Sequence, residues 1–401
     1  MSDSRARDFI TLCVLALTAG LAPLSMDLLT PSLPGMASAL QTTPQKAELT
    51  LYSFLIGYGV APSFWGVMSD RLGRRPVMFV GMTIYIVSSA ACALIDDANT
   101  LVVLRFIQGI GGAAGATVAR AIVRDIYGAQ GTTHGMARMI SLMAVVPFLL
   151  PLLGGVLGDT LGWQASFAAM TVISLSSVIA YRSLVPETRP SQVLTGDDEK
   201  LPVSRIVTNA AFAGPTLCNM FIIGILVIFG ANFAFITGQS FGFDASANGV
   251  VLALFNGSIA LGTYLAGRLL AWLGTHRAIL VGAASCTAGW IGASLAGATG
   301  PVNVVTLAPF IITGAAGCGV VMALCSGAAL TPFTHQSGTA SSLYLLIQSA
   351  GSCAISLAVG LTLPKELTTI SLAMAACALM GLITKILADG QSSREQEKQM
   401  I

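Results

Sequence analysis

Stretches of roughly twenty mostly apolar residues follow one another along the whole chain. They lie near 9–30, 47–69, 76–96, 100–124, 136–158 and 164–184, and again near 209–237, 246–270, 277–298, 301–330, 338–362 and 366–388. A helix needs about 20 such residues to cross a bilayer, and lipid offers no partner to backbone N–H and C=O groups outside the helix itself. The pattern predicts an all-α polytopic membrane protein with twelve transmembrane helices in two six-helix bundles. Only 9% of the 401 residues are charged and 54% are hydrophobic, against about 25% charged in soluble domains. A net charge of +2 offers no basic surface for phosphate, so nucleic acid is not an expected partner. The 43 glycines suit helices packed closely in lipid.

The first apolar run leads straight into further spans and lacks a small-residue cleavage pattern, so it reads as a membrane helix rather than a secretory signal. All eight cysteines lie inside apolar runs without paired spacing, and they read as small buried hydrophobes. The expected organisation is a first bundle over 1–185, a polar linker over 186–207 containing Asp197, Asp198, Glu199 and Lys200, a second bundle over 208–390, and a tail over 391–401. Lysines and arginines concentrate in cytoplasmic loops. With the N-terminus inside, only Lys46 and Lys365 fall on the outer side and Arg105 lies within a span, so both termini are expected in the cytoplasm. The halves resemble each other internally. Gly66, Asp70, Arg71, Leu72, Gly73, Arg74 and Arg75 follow the second span, and Gly267, Arg268, Leu273, Gly274, His276 and Arg277 follow the eighth, offset by 201 residues. Paired six-helix halves place a substrate site at their interface near the midplane.

The stretch Gly66 to Pro76 resembles the loop signature of the major facilitator superfamily, and Arg105 to Gly112 resembles its fourth-helix motif. Pro151, Gly154 and Gly155 resemble the superfamily's antiporter motif, with Leu150 where that motif carries glycine. Met26 to Pro31 with Pro34, and Arg120 to Asp125, resemble the bicyclomycin and chloramphenicol resistance branch of the twelve-helix drug/proton antiporters. The resemblance implies a bacterial inner-membrane protein working by alternating access as a monomer. It implies a proton gradient as the driving force, with no cofactor. Membership names no substrate. Small, mainly apolar or weakly cationic drugs of the phenicol or bicyclomycin kind are the expected cargo, and a dedicated exporter of a metabolite or siderophore is the alternative.

The ionisable residues make an independent case. Sorting the 18 acids by segment leaves Glu48, Asp96, Asp97, Asp159, Asp244 and Glu366 at the outer face or its interface and Asp27 alone within a span; the rest are cytoplasmic. A carboxylate in a span costs about 2.5 to 3.5 kcal/mol on insertion scales, so it usually faces a cavity and has a task. Asp27 is the candidate proton carrier and the group that meets cationic or polar substrate; the other reading is an interfacial cap before Pro31. Arg105 shares a helix face with Gln108, Gly109 and Gly112, and the glycines are expected to leave room for its long side chain to lie toward the central cavity. It is placed either to tune the proton affinity of Asp27 or to polarise a water or substrate oxygen, or else to snorkel to the outer interface. The family resemblance favours the functional reading.

Gly66, Asp70, Arg71, Gly73, Arg74 and Arg75, with Arg124 and Asp125 at the inner end of the fourth span, form an expected cytoplasmic gate. These charges are placed to pair among themselves and with the start of the eleventh span. Pro151, Gly154 and Gly155, with Pro147 and Gly158, suit a kinked, tightly packed fifth span. Tyr52, Tyr58, Asn232, Asn256, Tyr344 and Gln348 are candidate substrate contacts, drawn from a wider polar and aromatic set that includes Asn219, Phe233 and Phe255. No catalytic residue is expected: the histidines His134, His276 and His335 sit at cytoplasmic helix ends, and HExxH is missing. No metal site is expected either. The glycines from 109 to 112 formally fit a dinucleotide fingerprint, but no strand precedes them.

Overall fold

The computed structural model describes residues 2–143, 146–188, 203–299 and 303–400. Its helices are α1 (Ser2–Ala19), α2 (Leu21–Leu29), α3 (Leu33–Ala39), α4 (Pro44–Val60), α5 (Pro62–Leu72), α6 (Arg74–Leu94), α7 (Ala98–Met143), α8 (Val146–Leu161) and α9 (Gln164–Leu184). They continue as α10 (Val203–Thr208), α11 (Ala210–Phe241), α12 (Ala245–Thr299), α13 (Val304–Leu330), α14 (Ser337–Thr362) and α15 (Leu367–Met400). Among the described residues there is no strand. Eight helices are long and apolar enough to cross a membrane, or ten with each of two bent pairs counted as one span: 9–39 bent by 50° and 44–72 bent by 42°. The sequence expectation of twelve is larger than this count among the described residues; α12 carries two of the expected apolar runs either side of Gly274, whose φ of 72° is not helical, and the expected fifth span falls on the end of α7 and on α8, an apolar helix shorter than a full span.

The bends follow from local chemistry. Pro62 cannot donate a backbone hydrogen bond and sits at the start of α5, so α4 stops at Val60. The start of α4 is set by Thr43, whose hydroxyl accepts from the Lys46 N–H, with Pro44 in the first turn. Gly73 ends α5 and opens α6 with φ 101°, ψ 160°. Gly274 takes φ 72°, ψ 168° at the matching place in the second half. A side chain pays heavily for such backbone, which explains why glycine recurs 201 residues on.

The chain divides into two units, Met1–Gly196 with Gly242–Ala253, and Asp197–Phe241 with Leu254–Ile401. The boundary therefore differs from a simple cut at the linker, because the opening turns of α12 cluster with the first unit. Two contacts fix them there: Asp159 accepts from the Ala245 N–H at 2.9 Å and the Ser246 N–H at 2.8 Å, capping α12. Most of the linker, 189–202, lies outside the described residues. The backbone of 391–400 continues α15 as helix rather than leaving it as a separate tail.

In the first unit α7 packs on α4, α6 and α1. Gly57 and Gly109 allow the closest crossing: a Cβ at Gly109 would lie 2.1 Å from the Phe54 carbonyl oxygen, and one at Gly57 would lie 2.2 Å from that of Phe106. In the second unit α11 packs against α13, α14 and α15. Phe229, Phe233 and Phe255 stack there with centroids 4.3 and 3.9 Å apart, and Trp290 closes the cluster. In the loop between α14 and α15, Lys365 sits 5.0 Å from the centre of the Phe235 ring, and burial pulls its ammonium down to about 8 from 10.5. The folded chain thus releases this proton before the unfolded chain does, so folding stability rises as pH climbs from about 8 to 10.5 and carries the full penalty below that window. Thermal melts of Lys365→Met should lack the rise in stability that wild type shows between about pH 8 and 10.5; the same rise in both proteins would contradict this.

Candidate functional site

The first unit holds a buried polar centre on α7. Arg105 is 0% exposed. Its Nη1 donates to Gln108 Oε1 at 2.6 Å, its Nε to the Thr50 carbonyl at 3.2 Å, and its Nη2 reaches Met26 Sδ at 3.8 Å. The guanidinium carbon lies 4.4 Å from the centre of the Phe54 ring and 5.6 Å from that of Phe167. Gln108 in turn donates to Ser89 Oγ at 2.6 Å. These partners are neutral, so the guanidinium enters the core supported by dipoles and aromatic faces rather than by a carboxylate. Snorkelling is excluded by the burial. Gly109 and Gly112, expected to make room for the arginine side chain, instead take up Phe54 backbone and the Tyr85 ring.

Asp27 is half-buried on α2, immediately after the Met26 that touches Arg105. Pro23, Met26 and Asp27 form the less covered face of that helix, whereas Leu24, Ser25, Leu28 and Leu29 are buried. The bend before α2 is pinned by Tyr85, whose hydroxyl donates to the Leu21 carbonyl at 3.1 Å and lies 2.5 Å from Ser25 Oγ. Thr30 Oγ1 returns to the Met26 carbonyl at 2.8 Å, holding the segment just before Pro31. The carboxylate is therefore displayed from a braced helix, one residue from the arginine's contact.

Glu48, sorted to the outer face or its interface, is 1% exposed inside α4, a helix against which α3 packs. Arg105 is not the only buried base among the described residues, because Lys385 is 6% exposed within α15.

At the inner end of the first unit the charges converge on Arg74. Its Nε donates to Asp125 at 2.8 Å, and its Nη1 to Asp70 at 2.5 Å and to Ser69 Oγ at 2.9 Å. Glu187, absent from the sequence-based gate, accepts from the backbone N–H groups of Arg74 and Arg75, each at 2.9 Å, and so caps α6. Arg75 also donates to the Arg182 carbonyl at 2.7 Å. Arg71 and Arg124 are exposed, and Gly66 is half-buried beside Thr117. The proposed partner at the start of the eleventh span, side chains 334–339, lies outside the described residues. The second unit repeats the theme: Asp389, within α15, pairs with His276 two residues after Gly274 and with Lys385 at 2.5 Å. The signal for Glu187 was its place just beyond the sixth span, matching that of Asp389 beyond the twelfth.

In the fifth span Gly154 and Gly155 are buried, and a Cβ on either would strike the Leu28 or Ala245 carbonyl oxygen at 2.2 and 2.5 Å. Pro151 interrupts α8. Of the other candidates, Tyr52 is buried and Tyr58 is half-buried, stacked on Phe54 at 6.4 Å. In the second unit Asn232 is buried, its Nδ2 spent on the Ile228 carbonyl at 3.0 Å, and Asn256 is half-buried. Tyr344 and Gln348 come together through Asn219, which donates to them at 2.7 and 3.2 Å. Among the described residues no cluster of three or more His, Cys, Asp or Glu side chains is arranged to hold a metal ion.

A polytopic helical chain with a braced acid, a buried base and matching inner clasps in its two halves is built as a membrane transporter. The sequence model of the Major Facilitator Superfamily matches residues 15–356, and the chain belongs to that superfamily. It is similar to a chloramphenicol resistance protein of Pseudomonas aeruginosa, 31% identical over 84% of this chain and 81% of that one. Multidrug resistance protein D of Escherichia coli is 25% identical over 87% of this chain and 88% of its own length. A bicyclomycin resistance protein homolog of Haemophilus influenzae is 26% identical over 46% of each chain. These relatives place the sequence in the drug-efflux branch. In fold alone it resembles the crystal structure of a D-xylose–proton symporter, with TM-score 0.75 at 13% identity over 94% of this chain and 96% of that one. A nucleoside transporter gives 0.73 at 13% identity over 95% and 99%.

Proposed function

We propose that this transporter is a proton-coupled antiporter that exports small, mainly apolar or weakly cationic drugs from the cytoplasm across the bacterial inner membrane. It works as a monomer by alternating access, with both termini cytoplasmic and with the proton gradient in place of any cofactor. The carrying observation is Arg105, a guanidinium buried among neutral partners that reaches Met26, the residue before the half-buried Asp27. In this reading Asp27 is the carboxylate that takes up a proton on one side and meets cationic or polar drug on the other, a task that accounts for an ionisable group kept within a span. The printed names of the relatives, resistance to chloramphenicol, to bicyclomycin and to several drugs, support the cargo class.

The energetics suffice. Proton entry down a membrane potential supplies about 2.3 kcal/mol per 100 mV, and a tenfold gradient of neutral drug needs about 1.4 kcal/mol. The inner clasp around Arg74 contributes the bias between states, since a few kcal/mol is enough to set which one dominates.

Asp27→Asn, reconstituted in vesicles, is expected to lose drug uptake driven by an imposed pH gradient while retaining its melting temperature. It should still bind drug and exchange it at equilibrium. Proton-driven transport at the wild-type rate in this variant would remove Asp27 from the mechanism, and inward drug movement with protons would overturn antiport.

A further inference from the structure

Tyr344 and Gln348 lie one helical turn apart on α14 and converge on one side chain of α11. Asn219, 3% exposed, spends both amide hydrogens on them, donating to Tyr344 Oη at 2.7 Å and to Gln348 Oε1 at 3.2 Å. This pair of acceptors fixes the amide's orientation. Asn219 Oδ1 is thereby turned away from both, and it is buried with no hydrogen-bond partner. An unpaired buried acceptor is unfavourable, and native cores keep few of them without a reason. Tyr344 joins the triad to an apolar cluster that includes Phe212 and Phe333, whose rings meet edge to face at 5.9 Å. Gln348 is half-buried, so the triad runs from the core of its unit outward.

An apolar, aromatic wall with a few fixed polar atoms is the usual make-up of a site for a drug-sized ligand. We infer that Asn219 Oδ1 is the acceptor for a terminal hydroxyl of the exported compound, and that Tyr344 and Gln348 act through it as positioning residues. The inference rests on the drug-export reading and sharpens it: the cargo is a neutral molecule carrying a hydrogen-bond donor on an otherwise apolar body. A compound whose donor is replaced by fluorine leaves the acceptor unpaired and is transported less well. Discrimination of this kind is the strongest that polar contacts give, because the penalty falls on the site itself.

Thiamphenicol and florfenicol test this, since they differ by one hydroxyl exchanged for fluorine. In proteoliposomes driven by a pH gradient, wild type should favour thiamphenicol by about fivefold to tenfold in kcat/KM, the worth of one buried hydrogen bond. Asn219→Leu, which keeps the volume, and Asn219→Ala, which keeps the fold if leucine does not, should both bring the ratio to within about twofold. A purely structural triad would slow both compounds by one factor and leave the ratio intact, which overturns the inference while export stands. Equal rates for both compounds in wild type would overturn it as well. Transport of neither compound by wild type would instead defeat the drug-export reading and this inference with it.

Discussion

Replacing Arg105 with methionine is expected to cut drug efflux by at least about a hundredfold, roughly 2.7 kcal/mol of lost transition-state stabilisation, with no loss of folding stability. The two halves of this expectation have separate causes. Transferring an ion out of water carries a penalty of several kcal/mol even after relaxation, and a buried charge is a poor stabiliser beside an apolar group of like volume. Arg105 is fully buried and all its contacts are neutral, so its removal relieves that penalty. Methionine fills the space between Phe54 and Phe167. The cost that remains is Gln108 Oε1, which loses its donor. Melting of the purified variant at or above the wild-type temperature, together with collapsed efflux, would show that the charge is carried for function. Arg105→Lys should keep part of the activity, about a tenth, because an ammonium supplies the field without the planar fork that reaches Gln108 and Thr50 at once. A methionine variant that loses activity only in proportion to lost folded protein would refute the expectation.

The sequence carried the architecture further than it carried the contacts. Twelve apolar runs, the 201-residue offset and a glycine after the second and eighth spans announce two related halves, and the structure gives Gly73 and Gly274 the same left-handed backbone. Helical spacing likewise placed Gln108 on the face of Arg105, where the two now bond. Spacing along one helix says nothing of what approaches from another. Gly109 was read as room for the arginine, and the Phe54 backbone occupies that room. Glu48 was sorted by depth alone, to the outer face or its interface, and depth does not tell that its side chain is buried at 1% exposure. Asn219 was one of several polar residues in the second half, with no signal to separate it. Its importance lies in the two acceptors 125 and 129 residues away. Lys385, read as a topogenic charge, is buried against Asp389 because the stem of a lysine packs as an apolar chain.

The second large effect is expected at the inner clasp. Arg74 and Asp125 are 3% and 4% exposed in their side chains and only 2.8 Å apart, whereas Asp70, the other acid on Arg74, is 54% exposed. Coordination by one arginine thus hides a difference in kind between the two acids. Loss of Asp70 should matter little to stability, less than about 1 kcal/mol, because water screens the pair. Arg74→Met strands Asp125 in a dry site with only Thr188 Oγ1 at 3.4 Å, and breaking a buried pair from one side is destabilising by about 3–5 kcal/mol. Arg74→Met with Asp125→Leu should restore most of that loss, since the double variant buries no unpaired charge. It should not restore transport. The inner ends of α5, α6 and α7 would then be joined by apolar contacts, which lack the directional bonds that favour one arrangement of those ends over another. Equilibrium unfolding of the four variants in a double-mutant cycle, read beside efflux, separates the two effects. Equal stability losses for Asp70→Asn and Arg74→Met would contradict the assignment of the clasp to Asp125, and efflux regained by the double variant would show that the clasp holds the fold and leaves the transport cycle untouched.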